Sequence, residues 1–270
     1  GGSAANTLSG IAQLGCKAAF IGRVKDDELG KIFIKKIKAT GTLFQTPPQR
    51  KGPPTARCLI LVTPDAERTM CTYLGASTFL EPKDLDFAHI KNAKVLYLEG
   101  YLFDSQQAKK AFHEAAKIAS NSNRKVAISL SDAFCVDRHR ESFLNLLNTH
   151  VDIIFANESE IISLYKTNNL SDAINKAKDT CELTIITLGH KGSIIINSGK
   201  EISIKPYIFG KAIDSTGAGD LYASGFLYGY INNYSLIECG KIGSICAGYI
   251  VTKLGPNPEI SLKELINKYL

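Results

Sequence analysis

The chain has 270 residues, 44% of them hydrophobic and 21% charged, and carries a formal net charge of +6. Those values describe a folded globular chain with a sizeable core, long enough for one large α/β domain or two small ones. No apolar run reaches the roughly 18 residues of a membrane span, no charged-then-apolar leader points to secretion, and no basic block longer than "KKIK" makes the stripe of a nucleic-acid binder, so neither membrane nor nucleic acid is an expected partner.

In chain order, "GGSAANTLSGIAQLG" predicts a loop and then a helix of small residues, closed by Gly15. "CKAAFIGRV" predicts a strand. "DDELGKIFIKKIKATG" predicts a helix with an acidic start and an apolar face of Leu29, Ile32, Phe33 and Ile37. The following stretch is Pro-rich, then holds two β-like runs around "TPDAE", a hairpin. We expect residues 42–79 to be partly this excursion, a small β lid, and residues 1–41 with 80–270 to form the large domain. From about Leu85, strands at 93–100, 125–131, 151–158 and 183–189 alternate with helices at 105–122, 138–150 and 158–165. Short apolar strands alternating with helices predict a mostly parallel sheet covered on both faces. "GSIIIN" and "EISIKP" read as an antiparallel pair near its edge. "SLKELINKYL" opens on a capping box of Ser261 and Glu264. In such sheets, ligands bind beyond the carboxyl ends of the strands, so chemistry is sought in the loops there.

One stretch, "AIDSTGAGDLYASGFLYGY", carries chemistry on its face. Gly217, Ala218 and Gly219 let the backbone approach a ligand closely, and the helix from about Gly219 to Tyr230 is apolar or small on nearly every side. A buried helix N-terminus offers unpaired N–H groups and a partial positive charge, an anion hole suited to a phosphate. Asp220 in its first turn is placed to take a proton from an attacking hydroxyl. An acidic first-turn residue is also ordinary helix dressing, and spacing alone leaves both readings open.

"DSTGAGD" resembles the C-terminal signature of the PfkB (ribokinase-like) carbohydrate and nucleoside kinases. "GGSAANTLSGIAQLG" resembles their N-terminal signature. The resemblance runs from Gly1 to about Gly255, and "PPTARCLILVTPDAERTM", "YLEGYLFD", "SLSDAFCV" and "FANESE" look most like the bacterial adenosine kinase branch. It implies a ribokinase-like three-layer α/β sandwich, with ATP and Mg²⁺ as cofactors and a nucleoside or sugar as acceptor. Asp220 would be the catalytic base, and the backbone of Gly217, Ala218 and Gly219 the hole for the γ-phosphate. Gly2, Ser3 and Asn6 would hold sugar hydroxyls, and Phe134 would face an adenine ring. Thr187, Gly189 and Gly192 of "TLGHKG" would approach ATP, and Arg68 on the hairpin would clamp phosphate charge. Asn157 and Glu160 match the family's N-x-x-E element, linked to Mg²⁺ through water. The same spacing is a capping box, and both roles can hold together. Asp214 and Thr216 match positions that hold a monovalent cation, K⁺, in some members.

Family members also begin with a strand and lid segment upstream of the Gly-Gly signature, carrying an acidic residue that grips the substrate. The sole methionine is Met70 and the chain opens on Gly-Gly, so we expect further residues before Gly1 to supply that strand, lid and carboxylate. No G-x-x-x-x-G-K-[ST] sequence is present, which excludes the P-loop kinase route. Seven scattered cysteines, with no Cys-x-x-Cys pair, suggest reduced thiols in the cytoplasm. The expected activity is phosphorylation of a primary hydroxyl, of adenosine first and of a furanose or keto-sugar second. A ligand-binding relative without catalysis is the alternative of another class, and the assembly is a monomer or a homodimer paired through the hairpin edge.

Overall fold

A computed structural model describes residues 2–270. The chain divides into two compact units, Gly1–Leu80 with Lys205–Leu270, and Glu81–Ile204. In chain order, the first unit opens with helix α1 (Ser3–Gln13), strand β1 (Ala19–Phe20), helix α2 (Glu28–Ala39) and strand β2 (Leu43–Phe44). Strands β3 (Arg57–Val62) and β4 (Arg68–Tyr73) follow as an antiparallel hairpin, with the register Val62↔Arg68 at its turn. The second unit holds α3 (Phe87–Asn92), β5 (Val95–Glu99), α4 (Gln106–Asn121), β6 (Lys125–Ser129), α5 (Ala133–His150), β7 (Ile153–Asn157), α6 (Glu158–Tyr165), α7 (Leu170–Thr180), β8 (Leu183–Thr187), β9 (Ser193–Asn197) and β10 (Lys200–Ile204). The chain then returns to the first unit for α8 (Ala218–Ile231), α9 (Leu236–Ile250) and α10 (Leu262–Tyr269).

The sheet of the second unit has six strands in the order β10-β9-β8-β7-β6-β5. From β5 to β8 the pairing is parallel, and β9 and β10 close the edge antiparallel. This is the arrangement the alternation of short apolar strands and helices predicts. Val126, Ala127, Ile128, Ile153, Ile154, Ile185 and Ile186 are buried, as strands covered on both faces require. Helix α4 packs on β5 and β6, α6 on β7 and β8, and α7 on β9.

In the first unit, α8 is buried around most of its circumference and packs between α1 and α9. The contact between α1 and α8 is close because Gly10 has no side chain. A Cβ there would fall 2.4 Å from the Ser224 hydroxyl oxygen. That oxygen lies 2.8 Å from the carbonyl oxygens of both Thr7 and Asp220, which ties the two helices together beside the first turn of α8.

Some elements differ from the sequence reading. The strand expected over 16–24 shrinks to Ala19–Phe20, paired in parallel with Leu43–Phe44. Its apolar content goes instead into a cluster of Ala5, Val24, Ile37 and Phe44 with Phe20, Phe33 and Ile34. Leu29 and Ile32, expected on the buried face of α2, are 42% exposed, because this cluster takes up the 33–34–37 stripe. The helix expected at 138–150 is the second part of α5: a kink at His139, with φ −124° and ψ 19°, separates it from a short leading segment that starts at Ala133, where the Asp132 carboxylate accepts hydrogen bonds from the N–H groups of Phe134 and Cys135.

Candidate active site

Asp220 sits in the first turn of α8, and α1 delivers two side chains to it. Ser3 Oγ donates to Asp220 Oδ1 at 2.6 Å, and Asn6 Nδ2 donates to Asp220 Oδ2 at 2.8 Å. Ser3 and Asn6 are three residues apart, so one helical face presents both. Burial raises the Asp220 pKa above its ordinary value, while the hydrogen bonds from Ser3 and Asn6 and the positive charge of Arg68 work against that rise. Gly2 caps the N-terminus of α1 and is exposed.

The turn before α8 leaves backbone donors open. Gly217 has φ +80°, and a Cβ on it would lie 2.4 Å from Pro256 Cβ, so only glycine fits. The Ala218 N–H is spent on the Ser215 carbonyl at 3.2 Å. Among the described residues, the N–H groups of Gly217, Gly219 and Asp220 have no protein acceptor. Around Gly219 a Cβ would meet nothing within 4 Å, so the backbone there faces open space. Open N–H groups at a helix N-terminus fit a phosphate oxygen.

The hairpin reaches the same loop. Arg68, at the start of β4, donates through Nη1 to the Ser215 hydroxyl at 2.5 Å, and Ser215 Oγ donates to the Ala66 carbonyl at 3.3 Å. Just beyond it, Asp214 is buried and accepts hydrogen bonds from the N–H of Thr216 and of Gly255, both at 2.8 Å. Burial opposes its charge, but Thr216, Gly255 and the field of Arg68 outweigh burial and lower its pKa. The buried Thr216 hydroxyl lies beside that carboxylate. A carboxylate and a hydroxyl held together out of water are oxygen ligands of the kind a hard cation takes.

In the second unit, the carboxyl ends of the parallel strands carry a row of polar groups. Asn157 ends β7 and pairs in register with Thr187 at the end of β8. Asn157 Nδ2 and its backbone N–H donate to the two Glu160 oxygens at 2.6 and 2.9 Å, and the Glu160 N–H donates to Asn157 Oδ1 at 2.9 Å. Both arms of the capping box are therefore formed. Burial pushes the Glu160 pKa up to about 7, with the Asn157 N–H opposing and the Asp132 charge adding to the rise. Each Glu160 oxygen keeps a lone pair, so a fixed, nearly buried carboxylate able to order one water of a hydrated Mg²⁺ is present. Gly189 opens the turn after β8, and Gly192 closes it. The Phe134 ring, in the first turn of α5, is 76% exposed.

The structure also brings out residues that sequence reading passed over. Glu99 ends β5, is buried, and accepts a short hydrogen bond from Ser131, whose backbone is left-handed at φ +70°. A carboxylate closing the apolar run "VLYLE" was a visible signal; the strained serine facing it was not. Ser215 lies inside "DSTGAGD", where only its contact with Arg68 marks it.

Residues 1–262 match the family described as pfkB family carbohydrate kinase. The chain belongs to this family. As a pfkB family member it is a phosphotransferase acting on an alcohol acceptor, and its fold is ribokinase-like. It is similar to the crystal structure of adenosine kinase from Sinorhizobium meliloti, with 44% identity and a TM-score of 0.98 over 100% of this chain and 83% of that one. It is equally similar to a probable sugar kinase protein from Rhizobium etli CFN 42, with 45% identity and a TM-score of 0.97 over 99% of this chain and 82% of that one. Among curated proteins it is 29% identical to probable fructokinase-6, chloroplastic, of Arabidopsis thaliana, over 100% of this chain and 74% of that one. No helix among the described residues is long and apolar enough to cross a membrane.

Proposed function

We propose that this pfkB family kinase transfers the γ-phosphoryl group of ATP to a primary hydroxyl of a nucleoside, turning adenosine into AMP. The observation that carries this reading is Asp220, a carboxylate beside the open N–H groups of Gly217, Gly219 and Asp220 itself. The acceptor hydroxyl gives its proton to Asp220 while its oxygen attacks the γ-phosphorus. The bond from that phosphorus to its bridging oxygen breaks, and ADP leaves with the electron pair. The open N–H groups hold the charge on the transferred group. Asn6 spends one N–H on Asp220 and keeps its Oδ1 for an acceptor hydroxyl, with Gly2 and Ser3 beside it. Arg68 clamps phosphate charge from the hairpin, the lid part of 42–79. Thr187, Gly189 and Gly192 hold the nucleotide, and Phe134 faces a base.

Mg²⁺, when bound, would neutralise phosphate charge, and Asn157 and Glu160 would hold it through water. Asp214 and Thr216 would hold a monovalent cation. Similarity to the Sinorhizobium adenosine kinase supports adenosine as acceptor. A second reading, transfer to ribose, fructose or another keto-sugar, is supported by the similarity to a fructokinase.

The test is ADP formation with a panel of adenosine, other nucleosides, ribose and fructose. Adenosine is expected to have the highest kcat/KM; a higher value for a keto-sugar installs the second reading. Asp220→Asn is expected to lower kcat by about 10²-fold or more with any acceptor, since general-base help is worth roughly 10²–10⁴. A variant that keeps a third of wild-type turnover removes Asp220 from the mechanism.

A further inference from the structure

The two hydrogen bonds onto Asp220 form a device of their own. Ser3 and Asn6 stand on the first two turns of α1, the carboxylate on the first turn of α8, and more than two hundred residues of chain separate them. Each donor takes a different oxygen, at 2.6 and 2.8 Å. Two bonds to two oxygens fix the carboxylate plane and stop rotation about its last torsion, which a single bond does not. The approach of the helices is set by Gly10 against Ser224, so the grip is built into the helix crossing.

We propose that Ser3 and Asn6 are positioning residues of the catalytic base: together they hold Asp220 as the anion, in one orientation, before the acceptor arrives. The physical need is plain. The carboxylate is set into a site where burial disfavours its charge. A protonated Asp220 accepts no proton from the acceptor. Two donors, one on each oxygen, bond more strongly to the anion than to the neutral acid, whose protonated oxygen is a poor acceptor, and so shift the balance back toward the anion. Among the described residues, Arg68 is the one charged side chain whose field also reaches Asp220, and it acts in the same direction. Arg68 approaches from the hairpin, where it is exposed and bonded to Ser215, so its contribution is screened by solvent. The donors on α1 are neutral and neither titrates.

The inference rests on Asp220 being the base, which Asp220→Asn tests by loss of turnover; the experiment here reads a different quantity. It measures kcat against pH at saturating ATP and acceptor for the wild type, Ser3→Ala and Asn6→Asp, with a melting curve for each. Turnover is lost as pH falls through the pKa of the base. Removing a donor raises that pKa, so the loss sets in at higher pH. The acidic limb is expected to move up by about one pH unit in Ser3→Ala. It is expected to move further in Asn6→Asp, which keeps the side-chain shape but sets a like charge against the base. At the alkaline end kcat reaches a plateau, whose height also carries the loss of the acceptor contacts of Ser3 and Asn6, so the position of the limb and not the plateau is what the experiment reads. A structural role predicts a uniform loss at every pH with the limb in place, and that result overturns the proposal, as does an unchanged profile. If Asn6→Asp does not fold, the limb of Ser3→Ala decides alone.

Discussion

Glu160 shows how one side chain serves two ends. Its carboxylate closes the capping box of α6 and is almost fully buried, with a pKa of about 7 against 4.5 for the free group. Because the folded value stands above the unfolded one, the native state binds this proton more tightly than the unfolded chain does. The stabilisation is complete below the unfolded value and lost as pH rises through about 7. In metal-free buffer, Glu160→Gln is expected to flatten the fall in melting temperature across that window. The same substitution is expected to raise the Mg²⁺ needed for half-maximal rate by about tenfold, the usual loss for a group that orients a metal's surroundings. A residue that only caps α6 loses about 0.5–2 kcal/mol of stability with unchanged metal dependence. A magnesium titration beside the melting curves separates the two.

At the scale of elements, the site depends on how closely α1 and α8 cross. Gly10 permits that approach, and an alanine there sets a methyl 2.4 Å from Ser224 Oγ and 2.8 Å from its Cβ. The Ser224 Cβ is fixed to the backbone of α8 and cannot swing away, and the hydroxyl can turn aside only by giving up its bonds to the Thr7 and Asp220 carbonyls. Alanine gains up to about 1 kcal/mol of helix propensity over glycine, and overpacking costs about 1–3 kcal/mol. Gly10→Ala is therefore expected to melt lower than wild type. It is also expected to lower kcat more than this stability change accounts for, because Ser3 and Asn6 ride on the displaced helix. Thermal melts and steady-state rates on one preparation check both halves. A variant with a lower melting point and an unchanged rate shows that the grip on Asp220 tolerates a wider crossing.

Across the whole molecule, the proposed roles fall in different compact units. Asp220, Ser3, Asn6 and Arg68 belong to the first, and Asn157, Glu160 and Thr187 to the second. Chemistry and nucleotide affinity are accordingly expected to separate by mutation. Thr187→Val, at the carboxyl end of β8, removes a hydroxyl from the strand-end turn while keeping a β-branched shape. It is expected to raise the KM for ATP by about 3- to 10-fold, the cost of one lost polar contact, and to leave kcat and the acceptor KM within about twofold. Initial rates with each substrate varied in turn read all three. A change confined to the acceptor KM takes Thr187 out of the nucleotide site.

Much of this was legible in the residues alone, wherever the determinant is local. Alternating apolar strands and helices fix a parallel sheet because strand and helix periods need only a few neighbours. The Asn157–Glu160 box likewise carries its geometry within a few residues, and the "DSTGAGD" turn carries its residue types there. Helices α7 and α9 went unread although local signals were present, such as the Ser235–Glu238 capping box. What only the tertiary structure decided are contacts between distant segments. The bonds of Ser3 and Asn6 to Asp220 span 217 and 214 residues, and that of Arg68 to Ser215 spans 147. No local period encodes them. They follow from the angle and depth at which helices and hairpin pack, set by where side chains are too small to keep two backbones apart.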